Sequence, residues 1–369
     1  MQITDITLIK ILNSLGDYTL QCTMQANGFV SSASVPQGKS AGVFEATMLS
    51  AESAIEQFKL IKQKLLNVNF NTLKDFDDLL INLDGTDNKS KLGGNLTLVL
   101  SICFVKLLAQ KSNLPLYKYI ATTFNFNLNI PTYFLLIFEG GKHGSKFITA
   151  QEYMLLVNNI TEAVTTINSF KEYLDKNELF VGYGLEGAFT SSKLADLDVL
   201  KILKFIAPKK QIAIDIAQSS RGLNEPLNYN EIVNNFNIYS IEDPCDEKDY
   251  DAWGDFYKSF SAKIKVIGDD LTTTNTALID MACKKQLISG VIIKPNQIGT
   301  VYQTLKAVKL CNKYNLDVIV SHRGGDTNDD FIADLSVGVG ANFVKFGGLQ
   351  RGERIAKFNR LEQIRQELQ

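Results

Sequence analysis

The chain has 369 residues, 45% hydrophobic and 21% charged, with a formal net charge of -2. This is ordinary globular material, long enough for one small domain and one barrel of about 250 residues, and it offers no basic surface for nucleic acid or for a membrane. The cysteines Cys22, Cys103, Cys245, Cys283 and Cys311 form no C-x-x-C pair, and the start MQITDITLIK has no signal pattern. A reduced, cytoplasmic protein is expected, with neither a zinc site nor a disulfide framework.

Residues 3–12 and 18–24 alternate or run apolar around the turn Asn13-Ser14-Leu15-Gly16-Asp17 and predict a meander of strands. AESAIEQFKLIKQKLL, within Ser50–Leu66, repeats apolar residues at helical spacing, and further helices are expected over Phe76–Leu83 and Asn95–Lys111. The longest apolar run, Leu96–Val105, is about half a membrane span and ends at Lys106, so a buried helix is expected. Pro115 and the polar stretch NFNLN lead to Pro131, a boundary signal. The division expected is a small N-terminal α+β capping domain over 1–125 and a C-terminal α/β barrel over 126–369. Past the boundary, YFLLIF and EYMLLV are strand candidates close together, followed by helices near 160–176 and 192–205.

From Ile212 onward a regular ladder appears. Asp215 follows IAI, Glu242 follows IYSI, Asp269 follows KVIG, Lys294 follows GVII, His322 follows VIVS and Lys345 follows FV. The steps are 27, 27, 25, 28 and 23 residues, each enough for a strand, a crossover helix and two loops. In a closed barrel the strand C-termini meet at one mouth, where active sites are built. A charge ending a buried strand is costly unless it is paired, metal-bound or turned into that mouth.

Three carboxylates from successive strands, Asp215, Glu242 and Asp269, supply the hard oxygen ligands that Mg²⁺ prefers. Their neighbours Asp243 and Asp270 allow the plainer view of ordinary acidic loops, which three acids in phase disfavour. Lys294 is either a desolvated lysine of reduced proton affinity, fit to act as a base, or a strand cap paired with Asp269 or Glu242. His322 and Arg323 precede Gly324-Gly325, and the other histidine, His143, lies in a second glycine-rich turn. Arg323 suits a phosphate or carboxylate held bidentately. Gly38-Lys39-Ser40-Ala41-Gly42 is a small-residue loop without Walker spacing, so ATP hydrolysis is not read from it.

The blocks SVPQGKSAGVFEA, DGTDNKSKLGGN, NLPLYKYI, AQEYMLL, SIEDPCD, GDDLTTTN, IIKPNQIGT, VSHRGGDTNDDFIADL and RGERIAKFN occur in that order over nearly the whole chain. They resemble the signature blocks of the enolase (phosphopyruvate hydratase) family. The resemblance implies an α/β fold with an N-terminal α+β domain and an enolase-type (β/α)8 barrel. It also implies Mg²⁺-dependent interconversion of 2-phosphoglycerate and phosphoenolpyruvate, with two Mg²⁺ per active site. By the same resemblance Asp215, Glu242 and Asp269 bind the first Mg²⁺, and Ser40 helps bind the second together with the phosphate. Lys294 is the implied base, Glu186 assisted by Glu152 the implied acid, and His143, Gln151, His322, Arg323, Gly324 and Lys345 line the site. Enolase-type sites with a Lys or His base and one or two Mg²⁺ are a known pattern.

The chain departs from the family at Leu15 and Gln21, where an interface Arg and an acid are usual, and the implied homodimer has an altered contact around Glu353. Gly324 replaces a usual Ser. Glu139 replaces a usual Asn and is expected to add negative charge near the anionic substrate. These departures carry the alternative of a catalytically weakened enolase-like protein with a binding or structural role.

Overall fold

The structure is a computed structural model describing residues 1–38, 42, 44–221 and 227–369. Strands β1 (Ile3–Leu12), β2 (Tyr18–Ala26) and β3 (Phe29–Ser34) form an antiparallel meander. Asn13 shapes the first turn by accepting from the N–H groups of Leu15 and Asp17, and Asn27-Gly28, both with positive φ, form the second. Helices α1 (Ala51–Leu65), α2 (Leu73–Asp84), α3 (Gly94–Lys111) and α4 (Leu116–Phe124) complete this part. Helix α3 is long and apolar enough to cross a membrane, but 83% of it is buried against β2, β3 and its helical neighbours. Helix α4 lies in the stretch that the prolines marked as a boundary. Pro115 caps it at its N-terminus, where the missing N–H costs nothing.

The remainder begins with β4 (Thr132–Glu139), β5 (Glu152–Val157) and α5 (Ile160–Lys176). A two-residue hairpin, β6 (Gly182–Tyr183) and β7 (Phe189–Thr190), precedes α6 (Asp196–Ile206). Next come β8 (Ile212–Asp215), α7 (Gln218–Arg221), α8 (Tyr229–Asn235) and β9 (Ile238–Glu242). They are followed by α9 (Tyr250–Phe260), β10 (Lys265–Gly268), α10 (Thr276–Lys284) and β11 (Gly290–Ile293). The chain ends with α11 (Pro295–Ile298), α12 (Val301–Lys313), β12 (Asp317–Ser321), α13 (Phe331–Gly338), β13 (Phe343–Lys345) and α14 (Gly352–Glu367).

Eight strands close in the order β4-β5-β8-β9-β10-β11-β12-β13, with β13 pairing back onto β4. Strand β5 runs antiparallel to both neighbours, unlike the other seven. The reason is local: residues 140–151 between β4 and β5 contain no helix, and a parallel return requires one. Phe134, Leu136, Met154, Ala213, Ile267, Ile292 and Ile319 fill the barrel interior, while a larger cluster packs the strands against the helices and continues into the meander. The filled interior leaves the mouth as the place for chemistry.

Candidate active site

Register brings the acids together. Glu139 pairs with Glu152, Glu152 with Asp215, and Asp215 with Glu242, so four adjacent strands place four buried carboxyl residues in one row. Because β5 is reversed, Glu152 enters this row from the beginning of its strand. Asp269, Lys294 and His322 each stand one residue beyond β10, β11 and β12, and Lys345 ends β13. His143, Gln151, Glu152, Glu186, Asp215, Asp269, Lys294, His322, Arg323, Gly324 and Lys345 line a single cavity. Ser40 lies outside the described residues. Glu242 makes its contact through Lys345, whose Nζ lies 2.8 Å from Glu242, Asp215 and Glu152.

Lys294 Nζ is bonded to Asp269, whose other oxygen accepts from Gln297 at 2.8 Å. Of the two expectations for this lysine, pairing describes the structure. Burial pushes its proton affinity down, but the Asp269 carboxylate outweighs this and holds it above the ordinary lysine value. Lys345 is likewise penalised by burial and held well above its ordinary value by Asp215, Glu152 and Glu242. Burial and then the Asp215 charge push Glu242 up to about 8. Burial also raises Glu152, against the pull of Lys345.

Across the cavity, Glu186 lies 3.2 Å from His322 Nε2 and 3.6 Å from His143 Nδ1. Burial pushes the Glu186 carboxyl up, while His322 and His143 pull it down and prevail. Burial drives His322 down to about 4. Gly347, at φ 83°, leaves room for the imidazole: a Cβ there would lie 2.7 Å from His322 Cε1.

Arg323 reaches Glu45 at 3.0 Å, and its loop is held from behind. Arg354, fully buried, donates to the carbonyls of Arg323 and Gly324 at 2.6 and 2.8 Å. Arg354 and Lys357 also flank Asp326 at 3.3 and 3.1 Å.

Sequence reasoning passed over two participants. Asp243, read only as an acidic neighbour, is buried and accepts from the N–H groups of Asp269 and Asp270, fixing their loop. Its signal was the Glu-Asp-Pro stop at the end of β9. Glu45, inside the block SVPQGKSAGVFEA, was overlooked as the carboxylate on Arg323. Glu139 faces away from the expected place: its carboxylate accepts from the Glu186 and Ala188 N–H groups.

The donor set suits a divalent cation. Asp215 Oδ1 is buried without a hydrogen-bond partner, and Asp215, Glu242 and Asp269 present hard oxygens on a rigid frame. Among the described residues, the groups with ligand atoms within 4.8 Å of one another are Asp243-Asp269-Asp270 and His143-Glu152-Glu186. Asp215 and Glu242 are instead gathered on Lys345.

Two family descriptions match the sequence, "Enolase, N-terminal domain" over residues 3–120 and "Enolase, C-terminal TIM barrel domain" over residues 207–369. The chain is 34% identical to the enolase of Ureaplasma parvum serovar 3, covering 100% of this chain and 97% of that protein. It is 33% identical to the enolase of Anaplasma phagocytophilum (100% and 95% covered) and 33% identical to that of Pelagibacter ubique (97% and 95%).

Proposed function

The chain belongs to the enolase family and acts as a phosphopyruvate hydratase, a lyase of glycolysis, and from that premise we propose how its residues divide the work. Asp215, Glu242 and Asp269 would hold one Mg²⁺, and Ser40 would help hold a second beside the substrate phosphate. Bound there, the cations would supply the positive charge that neutralises the charge growing on the substrate carboxylate.

Lys294 removes the proton next to the carboxylate of 2-phosphoglycerate. Burial and the nearby Arg323 and Lys345 charges favour a neutral amine, and the Asp269 carboxylate opposes them. Glu186, with Glu152 and His322 beside it, gives a proton to the departing hydroxyl, which leaves as water. Arg323 and the Gly324 backbone take the phosphate, Lys345 the carboxylate side, and His143 and Gln151 complete the wall. The observation carrying this reading is that Lys294, just beyond β11, and the Glu186–His322 pair line one cavity together with Glu152, Asp215, Asp269 and Lys345. A catalytically weakened module would need none of these pairings. The direct test is divalent-dependent formation of phosphoenolpyruvate from 2-phosphoglycerate, followed by its ultraviolet absorbance; absence of product at any Mg²⁺ concentration would refute the assignment.

We further propose a cytoplasmic homodimer, divided in each chain into domains over 1–125 and 126–369. Leu12 and Tyr18, paired in register, and Ile9, paired with Gln21, are exposed and support an apolar contact where the family uses charge. Glu353 has Arg354 of its own chain 3.6 Å away, which supports a rearranged contact.

A further inference from the structure

Glu139 ends β4 and is fully buried, and its carboxylate has a definite use. One oxygen accepts from Ala188 N–H at 2.7 Å, and both oxygens accept from Glu186 N–H at 2.9 and 3.1 Å. The hairpin carrying Glu186 has little other support from the sheet. Its strands β6 and β7 have two residues each, and only Phe138–Phe189 joins β7 to β4 in register. Gly184 is folded directly onto the carboxylate: a Cβ there would lie 2.5 Å from Glu139 Oε2. A carboxylate alone among side chains offers acceptors at both terminal atoms. A glutamine in the same place would set an amide donor against the Glu186 N–H.

We infer that Glu139 is a positioning residue for the protonation half of the reaction, fixing the Glu186 and Ala188 amides so that the Glu186 carboxyl meets the leaving hydroxyl. This rests on Glu186 as the acid. In the forward direction Lys294 takes the proton from the carbon bearing the phosphate. That electron pair first passes into the substrate carboxylate and then becomes the new carbon–carbon double bond when the hydroxyl C–O bond breaks. Glu186 gives its proton to the departing oxygen, and one water leaves. The two halves are separable, because exchange of the substrate's alpha proton with solvent deuterium reads the Lys294 step alone.

The experiment compares Glu139→Gln, Glu139→Asp, Glu186→Gln and the Glu139→Gln/Glu186→Gln pair, with Mg²⁺ present, measuring both deuterium exchange and phosphoenolpyruvate formation. In Glu139→Gln, product formation should fall roughly 100-fold through kcat, as a small misplacement of a reacting group produces, while exchange stays near the parent rate. Glu139→Asp keeps a carboxylate and should recover part of the loss. The double variant should be no slower than Glu186→Gln, since both changes disable the same step. Equal loss of exchange and product formation in Glu139→Gln and Glu139→Asp would reduce Glu139 to general support and overturn the inference. So would undiminished product formation in Glu139→Gln. If Glu186→Gln itself formed product at the parent rate, the acid assignment would fall first, a result distinguishable from failure at Glu139 alone.

Discussion

Lys294 is the residue at which sequence and structure ask different things. A base near neutral pH needs a loosely held proton, yet Asp269 holds this ammonium firmly in the absence of a cation. Lys294→Ala should abolish alpha-proton exchange and product formation together, by at least the ~100-fold typical of a general base, with fold and Mg²⁺ binding intact. Exchange persisting in the variant would place the base elsewhere. Asp269→Asn removes one charge from a three-carboxylate site and one partner from Lys294. Calorimetry should show weaker Mg²⁺ binding, with activity only partly restored by excess Mg²⁺; unchanged affinity would remove Asp269 from the ligand set. At this scale the ladder was legible because each strand stops at a charge, and period and chemistry coincide. Glu45, Asp243 and Glu139 were not legible. Their roles depend on which backbone amide or guanidinium the fold brings to them, and a lone acid in a sequence carries no sign of that.

At the level of elements, the helices with clear apolar periodicity appear close to their expected spans. Ile160–Lys176 is one, and Ala51–Leu65 lies within the expected Ser50–Leu66. Helix α4 was hidden because Pro115 looks the same at a helix start as at a domain boundary. The reversal of β5 was hidden because an apolar run has no direction; only the missing helix between residues 140 and 151 announces it. Helix α14 braces the mouth through Arg354, which holds the Arg323-Gly324 carbonyls and faces Asp326. Arg354→Met should therefore cost about 3–5 kcal/mol in urea unfolding, because it leaves a buried carboxylate short of a partner. A loss below ~1 kcal/mol would mean that Lys357 alone suffices for Asp326.

For the whole molecule, crowded carboxyls set the pH response. Burial lifts Glu139 and Asp270 to about 7 and Glu242 to about 8, above their unfolded values, so the folded chain binds extra protons below those points. Ionising them in the fold costs stability, and without divalent ions the melting temperature should fall between pH 6.5 and 8. His322, lowered to about 4, acts in the opposite sense but only below about pH 6.5, its ordinary value. Mg²⁺ should raise the melting temperature, and more at pH 8 than at pH 6.5; a flat profile without metal would contradict the charge crowding. Light scattering over concentration and salt tests assembly. The proposed apolar contact should keep the dimer at high salt, since burial of apolar surface is not screened as ion pairs are. Monomer alone at micromolar concentration would exclude it. Finally, Lys345 sits at the centre of Glu152, Asp215 and Glu242, where it already supplies a positive charge to these carboxylates. A divalent ion binding there would act as in an ion exchanger, displacing the proton held by Glu242. Its heat of binding should therefore change with the ionisation enthalpy of the buffer below about pH 8, where Glu242 still carries its proton.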